Sequence, residues 1–318
     1  MAMNSLSGGT TVSTRPMRKL LERMWQARYL YLLVLPLLAY YVIFQYLPMY
    51  GVIIAFKSYN FAKGIIGSPW NDFEHFRYMF QLPQFWHVLK NTLVIAFGRL
   101  IIEFPFPIVF ALLLHEIRSA RWKRFYQTVF TFPHFLSWII VSGILSNFLY
   151  DMGMLNQILQ YLGFQKVSLL TDPSSFVGML FTTNIWKEMG WGTIIYLAAM
   201  AGIDPTLYEA ASIDGAGRLQ KMRMITWPGI KSTVVVLFIL AVGNTMGGAG
   251  FDQIFNLYNP GVYSVADILD TFIYRLTFYE GSDFGFTTAV GLFKSIVNCL
   301  LLFSANLLAK RMGERGIF

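Results

Sequence analysis

The chain has 318 residues, of which 55% are hydrophobic, 17% aromatic and only 13% charged. This composition lies outside the range of ordinary water-soluble domains and favours a membrane protein with several spans. The net charge of +8 does not indicate nucleic-acid binding, because the basic residues cluster at the ends of apolar runs rather than on one polar domain. The single cysteine, Cys299, lies in the last apolar run, so an intramolecular disulfide is excluded.

Six apolar runs are long enough to cross a hydrocarbon core, which takes roughly 20 residues of helix. No signal-peptide cleavage is expected, because the first run is too long for a signal peptide and follows a polar, basic segment. Pro36, Pro48, Pro105 and Pro107 lie within these runs and predict kinks, because proline removes a backbone hydrogen-bond donor. The expected spans are 29–56, 92–114, 126–150, 176–200, 230–248 and 286–309.

The distribution of lysine and arginine predicts the orientation. Segments 1–28, 115–125, 201–231 and 310–318 carry sixteen of these residues, whereas the alternate loops carry six. By the positive-inside rule the first set is cytoplasmic, with both termini inside. We therefore expect a cytoplasmic N-terminal segment over 1–28, followed by a transmembrane domain over the rest of the chain. The outer loops, about thirty residues each, are either partner-binding or ordinary solvated loops.

Residues 204–228 form a charged, glycine-interrupted segment between the fourth and fifth spans, which we call the coupling segment. Asp204 and Pro205 are typical of a helix start, as cap and first helical residue. Asp214 and Gly215 are typical of the break that ends such a helix. A second short helix is expected after this break, up to Pro228, where the next span should begin. This second stretch is amphipathic, with Leu219, Met222 and Ile225 on one face and Arg218, Lys221 and Arg223 on the other.

The order of residues in the coupling segment resembles a known motif. It reads Glu209-Ala210-Ala211, Asp214-Gly215-Ala216, Ile225 and Trp227-Pro228. This pattern resembles the EAA motif of permease subunits of ABC importers, in which EAA is followed three residues later by G and then by an apolar segment ending in LP. Residue types, spacing, position between spans and expected cytoplasmic side all agree. The departures are Met222, where Phe is frequent, and Trp227, where Leu is usual, and they concern only the shape of the segment.

The resemblance implies an all-α, six-span permease of the type I ABC importers, similar to maltose-type sugar permeases. In that family the motif docks into a cleft on a cytoplasmic ATPase. The implied partners are a second homologous permease, most simply in a heterodimer, two ABC ATPase subunits that bind ATP and Mg²⁺, and a solute-binding protein. No cofactor is expected on this chain, which has no GxxxxGK[ST] phosphate loop. The residues implied in ATPase coupling are Glu209, Ala210, Ala211, Asp214, Gly215 and Arg218.

Charges inside the expected spans are candidates for a solute pathway, because a charge in hydrocarbon needs a partner or water. Arg99 and Glu103 lie four residues apart on one helical face and can simply neutralise each other. Arg99, Lys187 and Lys294 are expected roughly 12–16 Å deep, counting about 1.5 Å per residue. Three cations at one depth could surround an anion, which predicts an acidic oligosaccharide such as a uronate, with alginate as one candidate.

The family resemblance also implies pathway positions, because maltose-type permeases line the pathway with the helices that flank the EAA motif. A tryptophan ring beside amides and a cation suits a sugar, whereas the alternative role for these positions is helix packing, which the glycines 243, 247 and 248 would allow. Counted by spacing from Glu209, the matching positions are Asn184, Lys187, Glu188, Trp191, Asn244, Thr245 and Gly248.

Two other classes of protein compete with an importer permease in the bacterial cytoplasmic membrane. A membrane-embedded enzyme would need clustered ligands or a nucleophile with its base, yet the chain has no HExxH or GxSxG. A stand-alone ion-coupled carrier would need inverted repeats and a carboxylate relay, for which only Glu103 and Glu188 are available. The coupling segment would have no purpose in such a carrier. The four histidines are scattered over different loops and spans: His75, His87, His115 and His134.

Overall fold

The structure is a computed structural model that describes residues 24–246, 248, 250–279, 281, 283–311, 313 and 316. Over these residues the chain is helical, and the β structure is limited to an isolated antiparallel bridge between Lys57 and Trp70. The chain divides into two compact units with the boundary between Ile53 and Ile54. The all-α architecture expected from the sequence is confirmed.

The first unit contains helix α1 (Arg28–Tyr41), which continues through a π-helical turn (Val42–Tyr46). Helix α1 presents apolar side chains on all of its faces, as is typical of a helix in lipid. The helical, apolar run continues to Phe56, so the expected span 29–56 corresponds to the apolar run Arg28–Phe56.

The second unit contains the other helices of the described chain, apart from a short α-helix in the first unit (Leu47–Met49) and a 3-10 helix that crosses the boundary (Tyr50–Phe56). Helices α4 and α5 are joined by a π-helical turn (Arg99–Glu103), and α11 and α12 by another (Met222–Thr226). In chain order the helices are α2 (Gly64–Gly67), α3 (Glu74–Gln81), α4 (Pro83–Gly98), α5 (Pro105–His115), α6 (Ala120–Thr131), α7 (Trp138–Leu149), α8 (Met154–Tyr161), α9 (Pro173–Ala201), α10 (Pro205–Ile213), α11 (Arg218–Lys221), α12 (Trp227–Thr245), α13 (Phe251–Leu257), α14 (Tyr263–Ala266), α15 (Leu269–Phe278) and α16 (Phe284–Arg311).

Five helical runs among the described residues are long and apolar enough to cross a membrane. The expected fourth span falls on α9, whose 29 residues extend about 43 Å at 1.5 Å per residue, although polar side chains in its middle make it less apolar than the others. The expected second span starts earlier than predicted, at Pro83. The five apolar runs are Arg28–Phe56, Pro83–His115, Trp138–Tyr161, Arg218–Thr245 and Phe284–Arg311.

The prediction of one continuous third span over 126–150 is wrong. Helix α6 ends at Thr131, a 3-10 turn follows (Phe132–Phe135), and α7 starts only at Trp138. Pro133 cannot donate a backbone hydrogen bond, and Ser137 caps the new helix by accepting from the backbone N–H of Ile140 at 3.3 Å. The apolar run is therefore Trp138–Tyr161, and α6 is a separate helix.

The start of the fifth span is also corrected. Helix α11 does not end at a turn before Pro228 but continues through the π-helical turn into α12. The same arrangement occurs at Pro48 and Pro105, since each of the three π-helical turns ends two residues before a proline. A π-helical turn is wider than an α-helical turn, so it accommodates the proline ring and the backbone N–H that proline lacks. The helix therefore continues past each of these prolines. Pro36, in contrast, lies within regular α-helix.

Helix α9 is the centre of the second unit and packs against α5, α6 and α12. Its approach to α6 is close at Gly190, where an added Cβ would lie 2.2 Å from the backbone carbonyl of Phe130. Helix α12 packs in turn against α16. The polar middle of α9 is thus held among α5, α6 and α12, which positions its charged residues relative to their neighbours.

Candidate functional site

Local backbone geometry shapes the coupling segment as the sequence predicts. Asp204 caps α10 by accepting from the backbone N–H of Thr206 at 2.9 Å, and hydrogen bonds from the backbone and the side chain of Thr206 lower the pKa of this exposed carboxyl. At the other end Gly215 adopts a left-handed conformation with φ of +77°, and the N–H of Ala216 donates to the carbonyl of Ala211 at 2.8 Å. The predicted helix and its glycine break are confirmed.

Side chains tie α10 to the ends of neighbouring helices. The Tyr208 hydroxyl lies 3.0 Å from the hydroxyl of Thr226, which is buried in the π-helical turn before α12. Lys221 donates to the Ser212 hydroxyl at 2.5 Å. The Tyr208 ring also contacts the His115 ring at the end of α5, with centroids 5.9 Å apart. Helix α10 therefore contacts the end of α5 and the π-helical turn before α12, which belong to two of the long apolar runs.

The outer surface of the coupling segment carries large apolar side chains without cover from the described chain. Ile213 is 87% exposed and Leu219 is 76% exposed. The predicted apolar face of the second stretch is thus split, since Leu219 points outward whereas Met222 and Ile225 are half-buried. Exposed apolar groups on a polar segment are typical of a protein-binding surface. Of the expected coupling residues, Ala211 is half-buried and the exposed ones are Glu209, Ala210, Asp214, Gly215 and Arg218.

A second group of functional candidates lies in the middle of α9. The ammonium of Lys187, a residue only 5% exposed, donates to the carbonyl of His134 at 3.0 Å and to Glu188 at 2.8 Å. The other oxygen of Glu188 lies 2.6 Å from Nδ1 of His134. The same ammonium lies over the ring of Trp138, with 5.5 Å between Nζ of Lys187 and the ring centroid. We call Lys187, Glu188 and His134 the clamp.

The clamp supports an aromatic surface. The His134 ring stacks on the Trp191 ring with centroids 4.3 Å apart and planes 4° apart, and Phe135 meets Trp191 edge-on at 6.0 Å. Trp191 is 46% exposed and Phe135 71% exposed. Sequence reasoning identified Trp191 but missed His134 and Phe135, which lie more than fifty residues away in the chain. The available signal was Pro133, which breaks the helix and turns these two side chains towards α9.

The predicted pathway residue Asn184 belongs to a neighbouring polar network. It donates to Glu103 at 2.5 Å, and Glu103 lies 3.9 Å from the Arg99 guanidinium. Arg99 also donates to the side chain of Gln253 at 2.6 Å, and the fully buried Gln253 donates to Thr183 at 2.9 Å. The structure thus brings Arg99 and Asn184 together through Glu103.

The remaining predicted pathway residues lie elsewhere in the second unit. Lys294 on α16 forms an ion pair with Asp270 on α15. Asn244 is exposed, Thr245 donates to the carbonyl of Ala241 within its own helix at 2.8 Å, and Gly248 has a φ of +91°. Each of the three cations expected to surround an anion therefore forms an ion pair with a carboxylate of the protein: Arg99 with Glu103, Lys187 with Glu188 and Lys294 with Asp270.

Long apolar helices, a charged segment tied to their ends and a polar centre on α9 define a membrane transport subunit. Comparison with known proteins identifies the family: residues 103–314 match the binding-protein-dependent transport system inner membrane component family, to which this chain belongs. The chain is 45% identical to the polygalacturonan/rhamnogalacturonan transport system permease protein YteP of Bacillus subtilis over 302 residues, 95% of this chain and 94% of that protein. It is also 45% identical to protein LplB of Bacillus subtilis over 292 residues, 92% of this chain and 91% of that protein.

A solved structure agrees with these relatives. A chain in the crystal structure of a bacterial alginate ABC transporter, in complex with an alginate pentasaccharide-bound periplasmic protein, matches with a TM-score of 0.85 and 37% identity. The match covers 94% of this chain and 100% of that chain. The fold is that of a type I ABC importer permease, and the chain is a permease subunit of a carbohydrate ABC importer.

Proposed function

We propose that this permease moves an acidic, uronate-containing oligosaccharide into the cytoplasm. The observation that carries the proposal is the similarity, over nearly the whole chain, to a polygalacturonan/rhamnogalacturonan permease and to an alginate transporter. Polygalacturonan, rhamnogalacturonan and alginate are all polymers that contain uronic acids, so carboxylates are the shared chemical feature of these substrates. Alginate itself is one candidate among them.

The clamp and its aromatic surface supply a place for the sugar. Trp191 and Phe135 offer exposed rings for pyranose faces, and Glu188, with 36% of its side chain exposed, offers an acceptor for hydroxyls. The buried Lys187 ammonium already bonds two protein groups, so we assign it to holding Glu188 and His134 in place. Direct contacts from Asn184, Arg99, Lys294, Asn244, Thr245 and Gly248 stay predictions.

Transport is proposed to be driven by separate subunits. The exposed Ile213 and Leu219 of the coupling segment suit a cleft on an ATPase subunit, which would bind ATP and Mg²⁺ itself. The assembly would contain two such subunits, a second homologous permease and a solute-binding protein outside. The lysine and arginine distribution supports the bacterial cytoplasmic membrane with both termini inside. Membership of a binding-protein-dependent family favours this arrangement over a stand-alone ion-coupled carrier.

Co-purification followed by ATPase assays tests the proposal. The tagged chain should retain a second permease and an ATPase subunit, and the reconstituted complex with its solute-binding protein should hydrolyse ATP faster with oligogalacturonate or oligoalginate than with a neutral maltooligosaccharide. Stimulation by the neutral sugar alone would refute the acidic substrate. Uptake by the purified chain without an ATPase would instead support the carrier.

A further inference from the structure

Helix α6 carries a stripe of side chains that the proposed pathway does not yet use. Arg121, Arg124, Thr128 and Thr131 are spaced three, four and three residues apart, so they lie on one side of the helix. Phe135 follows after four more residues, in the turn that breaks the third expected span. The stripe therefore runs from the basic loop before α6 to the aromatic surface beside the clamp.

Two neighbouring hollows open along this stripe. The first, of about 300 Å³, is lined by Arg124, Gln127, Thr131 and Phe135 from the α6 side and by Ile194 from α9. The second, of about 470 Å³, lies nearer the start of α6 and is lined by Arg121 and also by Arg124. Arg124 thus belongs to both hollows, and Phe135 connects the first hollow to Trp191 through their 6.0 Å ring contact.

The chemistry of the first hollow suits a sugar acid. Gln127 and Thr128 offer amide and hydroxyl groups for sugar hydroxyls, and Phe132 and Phe135, 63% and 71% exposed, offer ring faces. Arg124 offers a planar donor pair that matches a carboxylate. The guanidinium of Arg124 has no ion pair or hydrogen bond to any residue that the structure describes, and the buried hydroxyl of Thr131 likewise has no hydrogen-bond partner there. These donors are available to a ligand.

We propose that Arg124 forms a carboxylate-binding subsite on the cytoplasmic side of the clamp, which receives the uronate as it leaves the aromatic surface. This inference rests on the proposed function, because both the uronate and the cytoplasmic position of α6 belong to it. Ile194 lies one helical turn beyond Trp191 along α9, so the subsite is one step further along the same face. Arg121 raises the positive potential at the start of α6, which is the end of the stripe that lies farther from the clamp.

Uptake by the complete complex in proteoliposomes tests the subsite. The probe is whichever of oligogalacturonate and oligoalginate stimulates the wild-type ATPase more. Arg124→Gln should lower the saturating uptake rate about 3- to 10-fold, the effect of losing one partly solvated charge-assisted hydrogen bond. Arg124→Lys should lower uptake less than Arg124→Gln does, because a cation remains although the planar donor pair is lost. Arg118→Gln removes the same charge from an exposed position that lines neither hollow, and it should leave uptake unchanged.

A lipid headgroup is the other anion that such a stripe could bind, and the lipid composition separates the two. If the Arg124→Gln defect appears only in vesicles that contain anionic phospholipid, the ligand is a lipid phosphate and the proposal is overturned. A thiol at Thr128, introduced with Cys299→Ser, provides a direct readout: the acidic oligosaccharide should slow its labelling. Unchanged labelling together with wild-type uptake by Arg124→Gln would also overturn it. If the wild-type complex transports no acidic saccharide, the proposed function itself is refuted. That result is distinguishable from failure of the subsite alone, in which the wild type transports the saccharide and Arg124→Gln does so equally well.

Discussion

Replacing Lys187 with methionine removes a buried ammonium while keeping a side chain of similar length. The ammonium makes two hydrogen bonds, to the carbonyl of His134 at 3.0 Å and to Glu188 at 2.8 Å. A hydrogen bond to a charged group contributes about 1.5–3 kcal/mol. Because 36% of the Glu188 side chain is exposed, water compensates part of the loss, so the lower end of that range applies to both bonds. We expect Lys187→Met to destabilise the permease by about 3 kcal/mol.

The functional effect should be selective. Loss of the clamp frees Glu188 and His134 and disturbs the stack on Trp191, so uptake of the acidic oligosaccharide should fall. Basal ATP hydrolysis should persist, because the coupling segment is unchanged. The assays are the melting temperature of the purified complex, uptake into proteoliposomes and ATPase activity without saccharide. Lys90→Met, at an exposed position on α4, is the matched control and should leave all three unchanged.

A second substitution sharpens the test. Adding Glu188→Gln to Lys187→Met removes the carboxylate that has lost its ammonium, so the double variant should recover part of the lost stability. Uptake should stay low, because the carboxylate is itself part of the proposed sugar surface. If Lys187→Met alone leaves both melting temperature and uptake kinetics at wild-type values, the clamp has neither a structural nor a transport role, and our reasoning is wrong.

Three further predictions concern other parts of the chain. Ile213→Asp should reduce co-purification of the ATPase subunit and saccharide-stimulated ATP hydrolysis while leaving the melting temperature of the isolated permease unchanged; normal co-purification would refute the docking role. Gly190→Val should destabilise the unit by about 1–3 kcal/mol, because the added carbons meet the α6 backbone, whereas Gly178→Ala, which meets no atom within 4 Å, should be tolerated in the same melting assay. Asp204 accepts hydrogen bonds from Thr206 that lower its pKa, so its cap is complete above the unfolded pKa of about 4 and is lost as the pH falls through the folded value. The protection of the α10 amides, relative to the intrinsic exchange rate at each pH, should therefore fall in acid in the wild type but be low at all pH values in Asp204→Ala.

The break in the third expected span decides where the aromatic surface forms. Had residues 126–150 formed one helix, His134 and Phe135 would have followed the regular spacing of α6. Instead, the 3-10 turn at Phe132–Phe135 interrupts that spacing and brings the His134 ring onto Trp191. The apolar composition of this region hid the break, because hydrophobicity reports whether a segment prefers lipid and not whether its helix is continuous. Pro133 and Ser137 were the local signals for it.

The sequence by itself determined the class of protein and much of its local structure. Apolar runs of sufficient length require helices in a membrane, since backbone polar groups in lipid must be satisfied within the segment. The cap at Asp204 and the break at Gly215 depend only on neighbouring residues, so they could be predicted. The order of residues in the coupling segment was enough to indicate the family, because the resemblance rests on residue types and spacings that belong to one short stretch of the chain.

Only the tertiary structure decided which groups meet across the helices. Arg99 bonds Gln253, 154 residues away, and Glu188 meets His134, 54 residues away. No periodicity in one helix indicates which face of another lies opposite, because the rotation and depth of packed helices depend on every side chain between them. The hypothesis of three cations around one anion counted depth alone and did not include partners on other helices, such as Gln253 for Arg99 and Asp270 for Lys294. For the same reason the hollow beside Arg124, to which α9 contributes Ile194, becomes visible only when α6 and α9 are seen together.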